Sequence, residues 1–571
     1  MYAFVHSSFF RSVSFSTLFY FLIECSPEKS PEYTDHSQYF PQMVSSAHPL
    51  ANQVGMETLK AGGNAFDAAV AMHMVLAVAY PRAGNIGGGG FLVYRTSSNE
   101  IGALDFREKA PERAHPKMFL DGKGNADNTL SRYGGLSIGV PGSVAGMVAM
   151  HERFGSKSWD SLLKPSIDLA QEGFPISRKQ STLLNQFQAI FKTYNDPNCI
   201  LIKKEEWKAG DTLKNEALSL TLQQIAQKKN RGFYEGPVAD DLVECIARHS
   251  GILSHEDLKN YRVKWRAPIE AKFLNYDIVS MPPPSSGGIA LVQLLKGAQW
   301  MGIDSLEHNS IGYIHLLTEL ERRVYADRAE YLGDPDFTNV PQISLMDSSY
   351  ISQRNKNIRW DTKTRSSDIK EGDVQRIESF ETTHFQVVDK WGNCAIITTT
   401  LNGNFGSKCM TQNTGVILNN QMDDFSSKPG HPNMYGLVGS EANKIEGNKR
   451  MLSSMSPTLV LKNNKPVAML GTPGGSTIIT SVFQTLLNTL VYNMDAQQAI
   501  DAPKYHAQWL PDIVYLEKGK TNEEQKAALR ELGHSLDSTK YLGKLKLFWL
   551  KDGKWQVAAD TTRGDPPALI F

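Results

Sequence analysis

The sequence predicts a large fold of the α+β class, in which helices pack on antiparallel strands. Three observations carry that expectation: a helix at about 65–80 that is apolar on nearly every face, a β-hairpin over 383–401, and a long amphipathic stretch from Ile311 to Leu332. Across 571 residues, 41% are hydrophobic and 21% charged, which permits a large buried core. The 60 basic and 60 acidic residues cancel, so no net field draws a polyanion; small molecules are better candidate partners than nucleic acid. None of the five cysteines forms a CxxC pair, which argues against a structural zinc site. Cys394 and Cys409 are the one pair worth weighing as a bridge, and a chain of this size needs no staple.

The elements follow in order. Arg11 precedes an apolar stretch, Phe15 to Ile23, that is too short to span a membrane and suits the core of a signal peptide ending near Cys25. Export, periplasmic or extracellular, is the expectation. Cys25 is a candidate lipidation point, although Glu24 occupies a position where a small residue is usual, and a disordered N-terminal extension is the alternative. Residues 26–42 are polar and carry Pro27, Pro31 and Pro41, a linker composition, and order should begin near Met43. Residues 50–60 read as a helix closed by Gly62-Gly63, and Asn64 caps the apolar helix that stops at Pro81. The cluster from Gly84 to Gly90 lacks the Gly-Lys-Ser/Thr ending and the strand-before, helix-after order of a phosphate loop. It reads as a tight turn where backbone packs on backbone. Pro282 to Gly288 leads into a helix over Ile289–Trp300, and the polar segment 353–381 has the composition of an exposed loop.

At Thr382 the character changes. Thr383–Asp389 and Cys394–Leu401 flank a turn-like Lys390-Trp391-Gly392-Asn393. A two-residue loop at Trp391-Gly392 sets Thr383 opposite Thr400 and puts Thr382 beside Thr400, Leu401 and Asn402. A slip of one residue keeps Thr400 and Asn402 next to it. A threonine hydroxyl needs a base, and a threonine at the head of a chain carries one in its own α-amino group, which titrates at about pH 7.7–8.0. Alone, a Thr-Thr pair opening a strand says nothing.

The surrounding strings are more specific. Glu381-Thr-Thr-His-Phe-Gln-Val-Val-Asp389 resembles the start of the small subunit of γ-glutamyltransferases. In family order there follow or precede it Asp105-Phe-Arg-Glu108, Gly139 to Gly146, Pro282 to Gly288, Thr400-Leu-Asn402, Asn419 to Ser426, Leu452 to Thr458 and Gly471-Thr-Pro-Gly-Gly475. The resemblance covers about Met43 to Phe571. It implies an N-terminal-nucleophile hydrolase fold, a four-layer αββα sandwich of two antiparallel sheets between helical layers. It also implies a precursor that cuts itself between Glu381 and Thr382 into a 43–381 segment and a 382–571 segment, which stay together as a heterodimer forming one catalytic domain.

By motif position the resemblance makes Thr382 the nucleophile and Thr400 its activating neighbour. Arg107 becomes the clamp for a substrate α-carboxylate, helped by Ser453 and Ser454. Asn402, Gln421 and Asp424 surround the α-amino and α-carboxyl groups, and Gly474 and Gly475 supply N–H groups to an oxyanion. Lys428 to Gly436 is similar to the family's lid loop, with Tyr435 as its gate. The implied donors are glutathione and other γ-glutamyl amides, the acceptors water, amino acids or dipeptides, with no cofactor and no metal. Phe385-Gln386 departs from the Tyr-Ser common after Thr-Thr-His. A related acylase and a non-processing binding protein are the rival readings; Asp424 and the lid argue against the first, and intact Thr382, Thr400 and Arg107 against the second.

Overall fold

The structure, a computed structural model, describes residues 40–369, 382–428, 430–434, 436–539 and 541–560, and the backbone of 569–570. The expected leader with Cys25, and Glu381, the expected cut-site residue, lie outside these residues. Period-two side-chain alternation organises the centre. Strands Gly89–Arg95 and Cys394–Thr400 bury Leu92, Tyr94, Ala395 and Ile397 against one layer, and Phe91, Val93, Cys394 and Ile396 against the opposite one.

Two antiparallel sheets result. The first runs, edge to edge, through Leu569–Ile570, Met43–Ser45, Thr383–Val388, Cys394–Thr400, Gly89–Arg95, Ile101–Phe106 and Lys264–Arg266. The second runs through Lys554–Ala559, Lys546–Lys551, Lys465–Gly471, Thr458–Lys462, Tyr276–Ser280 and Ile269–Phe273. Segments before and after residue 382 interleave in the first sheet and meet at one seam, Thr458–Lys462 against Tyr276–Ser280, in the second, so neither segment owns a complete sheet. Helix Ala65–Ala79 covers the outer face of the first sheet, while Gly287–Trp300, Ile311–Tyr331 and Thr477–Leu490 pack with the second. Helices, sheet, sheet and helices make the expected four layers.

Every residue of helix Ala65–Ala79 is buried. Of its two polar side chains, Asp67 closes a capping box with Asn64 and accepts from the Ser156 amide and hydroxyl, and His73 Nε2 bonds the Asn85 carbonyl at 2.9 Å while Nδ1 has no partner among the described residues. The glycine cluster is a close-packed turn. A Cβ on Gly88 would fall on the Thr400 carbonyl oxygen and one on Gly90 on that of Thr398. Cys199, Cys245, Cys394 and Cys409 are free thiols.

Three details differ from the sequence expectation. The hairpin pairs Val388 with Cys394 and Thr399 with Thr383, one residue from the register set by a two-residue loop. The Asp389 carboxylate causes the shift. It accepts from the Trp391 and Asn393 amides and the Asn393 side chain, so that the loop runs from Asp389 to Asn393, with Gly392 at φ 83°. The helix Ile311–Tyr331 is not amphipathic in effect, because every residue from Tyr313 to Ala329 is buried. Its charges pair internally, Glu319 with Arg322 (2.8 Å) and Arg323 (2.7 Å), and Asp327 with Arg354 (3.0 Å). Within 353–369, helices Ser348–Asn355 and Ser366–Ile369 replace featureless loop, pinned where Thr364 donates to Glu319.

Candidate active site

The residue parity that faces the inter-sheet layer also governs the site. His384, Gln386 and Val388 point between the sheets, as do Thr398 and Ile396. Thr382 and Thr400 continue those two rows at the mouth of the sandwich. Thr400 Oγ1 donates to Thr382 Oγ1 at 3.5 Å and accepts from the Asn402 amide at 2.8 Å. The chain turns sharply there, with Asn402 at φ 75° and its side chain donating to the Asn420 carbonyl at 3.0 Å. His384, two residues from Thr382, bonds Thr398 Oγ1 (2.9 Å) and Gln386 (3.2 Å). Burial, aided by the Lys546 charge, pushes its pKa down to about 3, so it stays neutral.

Thr382 and Thr400 line one cavity together with Arg107, Asn402, Gln421, Asp424, Ser453, Ser454 and Gly475. Arg107 is fully buried at the end of strand Ile101–Phe106. Its guanidinium donates to Asp424 Oδ2 at 2.5 Å and to the carbonyls of Met451 and Leu452. Arg107 and Asp424 are therefore an interior pair, not surface ions. Gln421 Nε2 reaches the same Asp424 oxygen at 2.7 Å, and Asn433 approaches the other at 3.3 Å. Burial raises the Asp424 pKa, and Arg107 opposes that rise. Next in the chain to Arg107, Glu108 lies 3.6 Å from the guanidinium. Burial pushes its carboxyl up to about 7, and neither of its oxygens has a hydrogen-bond partner.

Ser453 and Ser454 sit in a turn pinned to the Pro282–Gly288 segment: the Ser453 amide donates to the Pro284 carbonyl, and the Ser286 amide donates to that of Ser453. On the opposite wall, the strand Lys465–Gly471 passes through Gly474 (φ 148°) and Gly475 (φ 52°) into the helix Thr477–Leu490. Those left-handed angles explain the glycines. Gly475 lines the cavity beside Ile478, at the N-terminal end of the helix, where backbone N–H groups lack intrahelical partners.

A model of the Gamma-glutamyltranspeptidase family matches residues 51–570. The chain belongs to that family. The glutathione hydrolase proenzyme of Escherichia coli K12 is 41% identical over 506 residues, 87% of each chain. The γ-glutamyltranspeptidase of Helicobacter pylori has a solved structure that is 43% identical, with a TM-score of 0.56, over 57% of this chain and 94% of that one. A cephalosporin acylase from Bacillus halodurans, 23% identical, superposes with a TM-score of 0.79 over 95% of this chain and 98% of that one, and shows the shared fold.

Within this γ-glutamyltranspeptidase fold the cavity gathers nine of the residues singled out from the sequence. Gly474 stands next to it without lining it, and Tyr435 and Glu381 lie outside the described residues. The neighbours of Tyr435 do reach the site: the Met434 amide donates to Asp423, Asn433 touches Asp424, and Leu437 lines the cavity. Gln386, a departure from the family's common Ser, spans the sheets to the Met469 carbonyl at 3.3 Å, and Phe385 packs on the opposite face. Sequence reading missed Arg328, Leu437, Leu452, Met455 and Ile478. The four apolar ones carry no chemical signal, although Leu452 and Met455 lie within the Leu452–Thr458 string. Arg328 lies in a helix whose charges read as a solvent face.

Proposed function

We propose that the chain is a self-processing γ-glutamyltransferase that opens γ-glutamyl amides such as glutathione through an ester on Thr382. The observation that carries this reading is the single cavity in which the Thr382 and Thr400 hydroxyls meet the buried Arg107–Asp424 pair. An α-amino acid head group needs a cation for its carboxylate and an anion for its ammonium, and the pair offers one of each. An acyl donor without an α-amino group would have no use for the Asp424 carboxylate.

In the precursor, the Thr382 hydroxyl attacks the Glu381 carbonyl. The peptide C–N bond breaks, and water hydrolyses the resulting ester. Thr382 now opens a chain running to Phe571, and its α-amino group is the base, since no histidine, lysine or cysteine lines the cavity among the described residues. Thr400 Oγ1 supports the Thr382 oxygen as charge builds on it. The γ-carbonyl oxygen of the donor gathers negative charge in the tetrahedral state, and Gly474 and Gly475 N–H groups at the head of helix Thr477–Leu490 are the fitting donors. Departure of the amine, cysteinylglycine for glutathione, leaves the γ-glutamyl ester, which passes to water or to an amino acid or dipeptide.

The two fragments stay joined because each supplies strands to both sheets. The likeness of Lys428 to Gly436 to the family's lid loop supports a cover over the bound head group. The apolar stretch Phe15–Ile23 supports export to the periplasm or beyond. The test is a glutathione incubation quenched with acid, followed by mass spectrometry of the 382–571 fragment. One γ-glutamyl group on Thr382 and free cysteinylglycine in solution are the expected results. Cysteinylglycine release with no adduct on Thr382 under any quench time would remove the ester mechanism.

A further inference from the structure

The cavity holds a second guanidinium that neither nucleophile activation nor the Arg107 clamp uses. Arg328, on helix Ile311–Tyr331, is buried and lines the cavity with Arg107 and Asp424. Arg107 spends its charge on Asp424 at 2.5 Å, whereas the hydrogen-bond partners of Arg328 are two hydroxyls: Nε donates to Ser286 Oγ at 3.0 Å and a terminal nitrogen donates to Ser454 Oγ at 3.2 Å.

Hydroxyl chemistry gives these bonds a consequence. A serine has one proton to donate and two lone pairs. With Arg328 occupying an acceptor site on Ser454, the hydroxyl proton of Ser454 is left to point at an acceptor in the cavity. The second bond works through Ser286, whose Oγ donates to the Ser453 carbonyl at 2.7 Å while its amide donates to the same oxygen at 2.8 Å. Ser285 Oγ holds the Met455 carbonyl at 2.7 Å on the other side. The Pro282–Gly288 segment is thus a brace for the Ser453–Ser454 turn, and Arg328 ties brace and turn together.

We propose that Arg328 is a positioning and specificity-determining residue: through Ser286 and Ser454 it aims the Ser453–Ser454 turn at the α-carboxylate of a γ-glutamyl donor, and its charge favours that carboxylate. The proposal rests on the γ-glutamyl reading above. Burial weakens the hold of Arg328 on its own proton, the Arg107 charge adds to that loss and the Asp424 carboxylate works against it, so the guanidinium is one that gains by an anion arriving in the cavity.

The experiment compares two donors on the processed enzyme, γ-glutamyl-p-nitroanilide and 4-aminobutyryl-p-nitroanilide, which is the same γ-amide without the α-carboxylate. The readout is the ratio of their kcat/KM values. Wild type is expected to favour the γ-glutamyl donor, and Arg328→Gln to lower the ratio about 10- to 100-fold, mainly through KM of that donor, the loss appropriate to hydrogen bonds made to a charged group. Arg328→Lys should recover part of the ratio, because the charge returns without the fork that reaches both serines. Ser286→Ala should lower it less than Arg328→Gln does. If Arg328→Gln yields no folded, cut protein, the same ratio in Arg328→Lys and Ser286→Ala decides.

A wild-type preference that survives within about threefold in the variants, or equal losses on both donors as a purely structural role would give, overturns the assignment of Arg328. A wild-type enzyme indifferent to the α-carboxylate overturns the γ-glutamyl reading itself, and the proposal falls with it.

Discussion

Replacing Arg107 with glutamine separates substrate binding from self-cutting. The side chain is fully buried, so its loss leaves Asp424, itself largely buried, deprived of its 2.5 Å partner. Two interactions with the donor should fail together. The α-carboxylate loses its charged donor, a bond of about 1.5–3 kcal/mol. The ammonium then loses part of its anion, because burial already raises the Asp424 pKa and Arg107 is the main influence holding it down. Without that cation the carboxyl takes up a proton more readily. Summed, the effect is about 3–6 kcal/mol, or roughly 10²- to 10⁴-fold in kcat/KM for γ-glutamyl-p-nitroanilide. Asp424 serves only when ionised, so the variant-to-wild-type activity ratio should climb as pH rises. The cut before Thr382 uses only the hydroxyls and should still go to completion on a denaturing gel. A kcat/KM within about threefold of wild type, or an uncut Arg107→Gln chain, would refute the reasoning.

Other perturbations probe other parts of the account. Thr400→Val keeps the shape and removes the hydroxyl 3.5 Å from Thr382; kcat should fall about 10- to 100-fold and the self-cut should slow in parallel, followed by stopped-time gels and steady-state kinetics. Glu108→Gln probes the buried acid. Its folded pKa of about 7 lies above the 4.5 of a free carboxyl, so the folded state keeps a proton the unfolded chain has released, and the contribution to stability declines as pH rises from about 4.5 to 7. The glutamine variant should therefore gain about 3 kcal/mol relative to wild type between pH 4.5 and pH 8 in urea unfolding; a difference flat with pH would contradict the assignment. Gly88→Ala drives a methyl onto the Thr400 carbonyl and should cost about 1–3 kcal/mol in the same assay, with slower self-cutting because Thr400 shifts.

How much of this was legible in the sequence depends on how far apart in the chain the partners lie. Thr382 and Thr400 come together through one hairpin, so turn chemistry alone placed them side by side; the register still moved by one, because the reach of the Asp389 carboxylate over three N–H groups is a tertiary-scale detail hidden in a common turn composition. The buried helix Ala65–Ala79 was plain from its apolar faces and its Asn64 cap. Arg107 is separated from Asp424 and Ser453 by more than three hundred residues, and no local pattern brings them to one cavity; only the family strings did. Arg328 had no such help. In sequence, Arg322, Arg323, Asp327 and Arg328 look like a solvated face, whereas the helix is enclosed between the second sheet and the segments around 354–369 and 505–509, which turns each charge inward to a partner or to the site.

The central claim is that Thr382 becomes the first residue of a chain. Intact mass of the purified protein after incubation, with N-terminal sequencing of the smaller species, tests it most directly. The expected result is two fragments, the smaller beginning Thr-Thr-His-Phe and ending at Phe571, with Thr382→Ala remaining a single uncut chain. A wild-type protein that stays whole under folding conditions, or a Thr382→Ala protein that is cut and active, would contradict it.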